Sequence, residues 1–193
     1  MTPRKPARAT PAALLLTPGA GADATHHTLV AVEQVVSPMP VARVDFPYRR
    51  AGKKAPDPAP KAIACIRDEA ARLCEREAVD PANLVLGGRS YGGRMCSMAV
   101  AEGVPAAGLV LLSYPLHPPG KPDRMRTEHF EELDVPCLFV SGERDPFGTP
   151  DEFDAAVGAI PGPVTQVWVT GGHDPRNKDD EIAAAVAAWL SEL

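Results

Sequence analysis

Leu84-Val85-Leu86-Gly87-Gly88-Arg89-Ser90-Tyr91-Gly92-Gly93 is the stretch on which the fold turns. A short apolar run stops at glycines around one serine, and helix-compatible sequence follows over 94–102. Gly88-Arg89-Ser90-Tyr91-Gly92 fits G-x-S-x-G, the pattern of a nucleophile elbow. A serine on a tight strand-to-helix turn sits in strained backbone geometry. The residues two before and two after it crowd each other, so neither tolerates a side chain. The turn lifts the hydroxyl above the sheet and aims the next helix's N-terminus at it. Five residues also fit a plain glycine-rich strand–helix turn, so the rest of the chain has to decide.

Outward from this stretch, short apolar runs alternate with helical patterns. Strands are expected at Ala13–Thr17, 41–46, 84–88, 109–113, 136–141 and Val164–Val169. Helices are expected at 26–36, 61–78, 94–102, 151–160 and 181–193, with Ile63, Ile66, Ala70 and Leu73 at helical spacing in the second. Residues 49–60 read as a basic, Pro-rich loop and 114–135 as a long polar excursion, a flap rather than a cap domain. Runs apolar on both faces and separated by helices predict a three-layer α/β fold, with helices on both faces of a parallel sheet.

The 193 residues fit one domain over 12–193 behind a disordered tail at 1–11. A hydrophobic share of 45% and a net charge of −5 suit a soluble protein and argue against a nucleic-acid partner. No apolar run reaches membrane-span length, and Ala12-Ala13-Leu14-Leu15-Leu16 is too short for a signal peptide, so a cytoplasmic protein is expected. Cys65, Cys74, Cys96 and Cys137 form no C-x-x-C pair and have no His at metal spacing, so buried reduced thiols and no metal are expected.

In a parallel sheet the loops after the strands share one edge, where ligands bind. Ser90 follows the third strand, Asp145 of Gly142-Glu143-Arg144-Asp145-Pro146 the fifth, and His173 of Gly171-Gly172-His173-Asp174 the last. Asp145 also fits a turn aspartate and His173 a surface histidine. Together, however, they give nucleophile, acid and histidine in the chain order of α/β-hydrolases. His26, His27, His117 and His129 fill no such position.

The chain resembles a small α/β-hydrolase of the dienelactone-hydrolase-like group. It is similar to compact bacterial proteins related to the hydrolase-like domain of a chromatin-complex (NSL) subunit. The resemblance rests on Thr17-Pro18-Gly19-Ala20-Gly21, Asp45-Phe46-Pro47-Tyr48-Arg49 and Gly87-Gly88-Arg89-Ser90-Tyr91-Gly92-Gly93-Arg94. Tyr114-Pro115-Leu116-His117-Pro118-Pro119-Gly120-Lys121 and Gly142-Glu143-Arg144-Asp145-Pro146-Phe147-Gly148-Thr149 complete it. It implies an α/β-hydrolase fold with a minimal six-stranded, mostly parallel sheet, no cap domain and no cofactor. It also implies ester or activated-acyl hydrolysis of a small-molecule substrate through Ser90, His173 and Asp145, with the N–H groups of Ala20 and Tyr91 as oxyanion hole. Gly19, Tyr48, Arg49, Tyr114 and His117 are candidate substrate contacts, although core or loop packing fits the aromatic ones equally. Two departures stand out. Pro18 replaces the histidine of the usual His-Gly-x-Gly, and two common leading antiparallel strands have no room.

Two other readings remain open. Gly19-Ala20-Gly21-Ala22-Asp23-Ala24 fits G-x-G-x-x-A, with Asp45 near the place of a ribose-binding acid, which would mean dinucleotide binding. A hydrolase fold kept as a non-catalytic scaffold is the other. Arg49, Arg50, Arg89, Arg94, Lys121, Arg124, Arg126 and Arg144 either line an anion-friendly mouth or form local ion pairs in solvated loops.

Overall fold

Four apolar runs form strands buried on both faces: β1 (Ala13–Thr17), β3 (Leu84–Arg89), β4 (Gly108–Leu112) and β5 (Cys137–Gly142). The edges are β2 (Val41–Arg43) and β6 (Val164–Val169), whose residues are mostly half-buried. A computed structural model of the chain describes residues 10–193. The first nine positions of the expected tail lie outside these residues; by Ala12 the backbone N–H already donates to Asn83 O at 2.9 Å. All five strand pairings are parallel, in the order β2-β1-β3-β4-β5-β6.

Strand side chains alternate between two cores, as a period of two requires. Ala13 and Leu15 join Leu84, Leu86, Leu109, Leu111 and Phe139 in one. Leu14 and Leu16 join Val85, Val110, Leu112, Leu138 and Val140 in the other. The second core is roofed by α1 (His27–Val36) and α6 (Asp179–Glu192), which pack on each other. The first is roofed by α3 (Ala59–Glu77), α4 (Tyr91–Ala101) and α5 (Pro150–Val157). Handedness explains the division. β1 to β2 steps one way along the sheet, and every later crossover steps the other way. Right-handed connections therefore place α1 on one face and α3, α4 and α5 on the opposite face. The loops after β1 and β3 leave on opposite faces, the kind of switch point at which open α/β sheets bind their ligands.

Three expectations are corrected in detail. The strand expected at 41–46 ends at Arg43, with one further rung from Val44 N–H to Leu16 O at 2.9 Å. The supposed loop at 49–60 begins with a short helix, α2 (Pro47–Arg50). The excursion at 114–135 is no flap. Tyr114, Leu116, Phe130 and Leu133 are wholly buried in the first core, where Tyr114 stacks at an angle on Phe130 and Phe139. Burying an aromatic or leucine side chain is worth roughly 1.5–3 kcal/mol, which outweighs the polarity of the intervening residues. The four cysteines are free and buried, and burial pushes the Cys96 and Cys137 thiols up to about 12. Among the described residues no helix is long and apolar enough to cross a membrane.

Candidate active site

The elbow is built by close backbone approach. Ser90 caps α4 with φ 52° and ψ −117°, a conformation that costs a non-glycine residue about 1–3 kcal/mol. A Cβ on Gly92 would lie 2.5 Å from Thr17 O and 2.6 Å from Pro18 O, and one on Gly88 would lie 2.9 Å from the Gly92 carbonyl carbon. The two glycines of G-x-S-x-G are thus required by each other and by the end of β1. Ser90 N–H donates to Leu112 O at 2.8 Å and fixes the turn to β4.

The loops after β5 and β6 bring the partners. A Cβ on Gly142 would stand 2.6 Å from Gly171 O, so a bare backbone there lets the two strand ends converge. His173 Nδ1 lies 2.8 Å from Asp145 Oδ2, and Nε2 lies 2.8 Å from Ser90 Oγ. Asp145 is 1% exposed, and its other oxygen accepts from Phe147 N–H at 2.9 Å. Since the carboxylate only accepts, the imidazole carries its proton on Nδ1 and turns Nε2 to the serine. The Phe147 ring lies 4.1 Å from the His173 ring and covers it. Phe147 stands two residues after Asp145 in the quoted motif, yet nothing in that spacing announces a stacking role.

Arg89, the x of the elbow, does more than the motif suggests. Its Nη2 donates to His173 O at 2.7 Å and to Asp174 Oδ1 at 2.8 Å. Burial pulls the guanidinium pKa down, while Asp174 and Asp145 oppose that fall. The buried cation thus ties the end of β3 to the histidine loop.

The loop after β1 lies against the elbow. A Cβ on Gly19 would meet Arg89 Nη1 at 3.3 Å and Ser90 Cβ at 3.5 Å. Ala20 O accepts from Tyr48 Oη at 2.8 Å. Tyr91 opens α4, where first-turn N–H groups have no intrahelical acceptor. Its hydroxyl donates to Asp57 O at 2.7 Å, and Asp57 Oδ2 accepts from Tyr48 N–H at 2.8 Å. Desolvation raises the Asp57 pKa, but bonds from Lys61 and Tyr48 outweigh it and hold the carboxyl below its usual range. Phe46, Tyr48 and Tyr91 pack edge to face or stacked around this knot. Tyr48 is therefore a brace beneath the loop.

The remaining candidate contacts have these partners. Tyr114 is core, its hydroxyl donating to Arg126 O at 2.8 Å. His117 is buried under the Asp145 loop: its N–H donates to Phe147 O at 3.1 Å, and its Nε2 lies 3.2 Å from Glu152. Burial lowers its pKa, but Pro118 O and Glu152 outweigh that and leave it raised. Arg49 pairs with Asp23 at 3.4 Å. Asp45 accepts from Ala24 N–H at 2.8 Å and so serves the loop after β1, against the dinucleotide reading.

A family model described as "Alpha/beta hydrolase domain" matches residues 10–188. The chain belongs to the alpha/beta hydrolase family. Solved hydrolase-fold structures superpose over nearly its whole length. Est1E from Butyrivibrio proteoclasticus matches with TM-score 0.74 and 16% identity, covering 98% of this chain and 90% of that one. The monoacylglycerol lipase of Paleococcus ferrophilus matches with TM-score 0.74 and 16% identity, covering 95% and 96%. A putative hydrolase from Xanthomonas campestris pv. campestris matches with TM-score 0.71 and 20% identity, covering 94% and 99%. At these identities they show that this hydrolase-family chain shares the fold.

Proposed function

We propose that the chain is a serine hydrolase of the dienelactone-hydrolase-like kind, cleaving an ester or other activated acyl substrate. The observation that carries this is the unbroken Asp145–His173–Ser90 hydrogen-bonded chain on a strained elbow. Ser90 Oγ attacks the acyl carbon as His173 Nε2 takes its proton, and Asp145 holds the ring and stabilises the imidazolium. The protonated histidine then gives that proton to the leaving alcohol. Water repeats the sequence on the acyl-enzyme and frees the acid. The N–H groups of Ala20 and Tyr91 receive the oxyanion, each worth about 3–4 kcal/mol by the cost of removing one such donor from a protease. Both are backbone groups, so Pro18 in place of histidine leaves them available. Neighbours described as a monoacylglycerol lipase and an alpha-beta serine hydrolase homologue support this class.

A fluorophosphonate probe is expected to label wild-type protein at Ser90 and to leave Ser90→Ala unlabelled, with a short-chain ester panel following the same pattern. Folded wild type that resists the probe, or a labelled Ser90→Ala, would overturn the reading.

A further inference from the structure

Beside the triad, three metal-ligating side chains converge from two separate segments. His26 caps α1, His27 is its first residue, and Asp174 follows His173. His26 Nε2 lies 3.6 Å and His27 Nε2 3.9 Å from Asp174 Oδ1, and all three ligand atoms fall within 4.8 Å of one another. A tetrahedral ion with bonds of about 2.0–2.2 Å sets its ligand atoms roughly 3.3–3.5 Å apart, so the His26 gap is close to that spacing and the His27 gap closes to it with a shift of about half an ångström. The two imidazoles stack at 4.2 Å, which keeps their Nε2 edges together.

The supporting shell is what separates this cluster from a chance meeting of surface groups. His27 Nδ1 lies 2.7 and 2.8 Å from the Asp179 oxygens, and Thr28 Oγ1 donates to the same carboxylate at 2.7 Å. The carboxylate accepts, so His27 carries its proton on Nδ1 and presents the Nε2 lone pair to Asp174. This is the carboxylate–histidine pairing that orients and strengthens metal-bound imidazoles. His26 Nδ1 accepts from Thr28 N–H at 3.3 Å. Ligation through Nε2 moves that ring's proton to Nδ1 and gives up one long hydrogen bond. Asp174 Oδ1 is also the oxygen that Arg89 holds, and the same Arg89 nitrogen supports the His173 carbonyl.

We propose that His26, His27 and Asp174 bind a divalent transition ion of the zinc class, with one position open to water, and that its binding slows acyl chemistry at Ser90. The ion competes with Arg89 for Asp174 and draws the peptide after His173 toward α1. A displacement of about 1 Å near reacting groups is enough to cost on the order of a hundredfold in rate. The inhibitory half rests on the hydrolase reading; the binding half does not. In the sequence the pair His26-His27 lacks i,i+4 spacing, so nothing there pointed to a metal.

The test titrates the full chain with Co²⁺ and then displaces it with Zn²⁺. One saturable site with the intense visible absorption of four-coordinate cobalt is expected, absent in His27→Gln and weakened about 10–100-fold in Asp179→Asn, the usual cost of losing such a supporting carboxylate. His27 is about half exposed, so its replacement leaves the fold intact. A pale six-coordinate spectrum, or binding unchanged in His27→Gln, overturns the site. Fluorophosphonate labelling of Ser90 is then timed with and without Zn²⁺, and a slowing of at least about tenfold is expected in wild type but not in His27→Gln. Equal slowing in both places the ion on His173 and overturns the inhibitory half, as does full-rate labelling with the site filled. If Ser90 resists the probe without zinc, the hydrolase reading fails with the inhibitory half, while the cobalt spectrum still decides the site.

Discussion

Tyr48 reaches the loop after β1 through one hydroxyl, and that contact sets where Ala20 stands. The ring is buried against Phe46 and Tyr91, so Tyr48→Phe keeps the packing and removes only the bond. Stability is expected to fall by about 1 kcal/mol, the usual net worth of one hydrogen bond, in urea unfolding. On the proposed reading, kcat on an ester substrate falls about tenfold or more with KM little changed, since an oxyanion donor acts only in the transition state. A raised KM at constant kcat would instead make Tyr48 a substrate contact. The meeting of Ser90, Asp145 and His173 is legible in the sequence because each follows a recognisable strand and the ends of parallel strands share one edge. The roles of Tyr48, Phe147 and Arg89 are not, because a sequence position says nothing about where a long side chain ends.

At the scale of elements, α4 and the segment before β5 are locked together. Ser97 Oγ donates to Arg94 O at 2.9 Å, which leaves it to accept from His129 Nε2–H at 2.8 Å. Burial, with Arg94 adding to it and Glu128 opposing, pulls the His129 pKa from 6.5 down to about 4. The folded state therefore prefers the neutral ring, and the unfolded chain takes up the proton first as pH falls. The His129 contribution to stability is full above about pH 6.5, declines as pH drops toward about 4, and changes no further below that. His129→Gln, which keeps a donor at this position, is expected to flatten that part of the decline in urea midpoints measured on either side of the window. An unchanged pH profile would show that His129 ionises freely in the folded protein. By its average the excursion at 114–135 looks like a flap, because prolines and charges dominate that average. Four spaced side chains decide its position, and an average hides them.

At the scale of the whole molecule, one reversal of strand order assembles the site. Stepping one way from β1 to β2 and the other way thereafter sends the loops after β1 and β3 to opposite faces beside Ser90, and the convergence of β5 and β6 delivers Asp145 and His173. Arg89 is the tie across this arrangement, from β3 to the loop after β6. Arg89→Gln shortens the side chain and removes its charge. Circular dichroism is expected to stay native, while fluorophosphonate labelling of Ser90 slows about tenfold or more as His173 loses its anchor. Labelling at the wild-type rate would reduce Arg89 to a surface-loop support.

The sequence by itself determined the alternation of buried strands and helices, because period and apolarity are local properties that burial on two faces enforces. It also determined the elbow, since only glycine survives where Thr17, Gly88 and Gly92 touch. Tertiary structure alone decided that Tyr114 is core, that Asp45 serves a loop, and that Asp57 knots Tyr48 to Tyr91. It alone set Asp174 between Arg89 and two histidines. These roles depend on distances between residues far apart in the chain, which the sheet order and the handedness of its crossovers fix and no local pattern encodes.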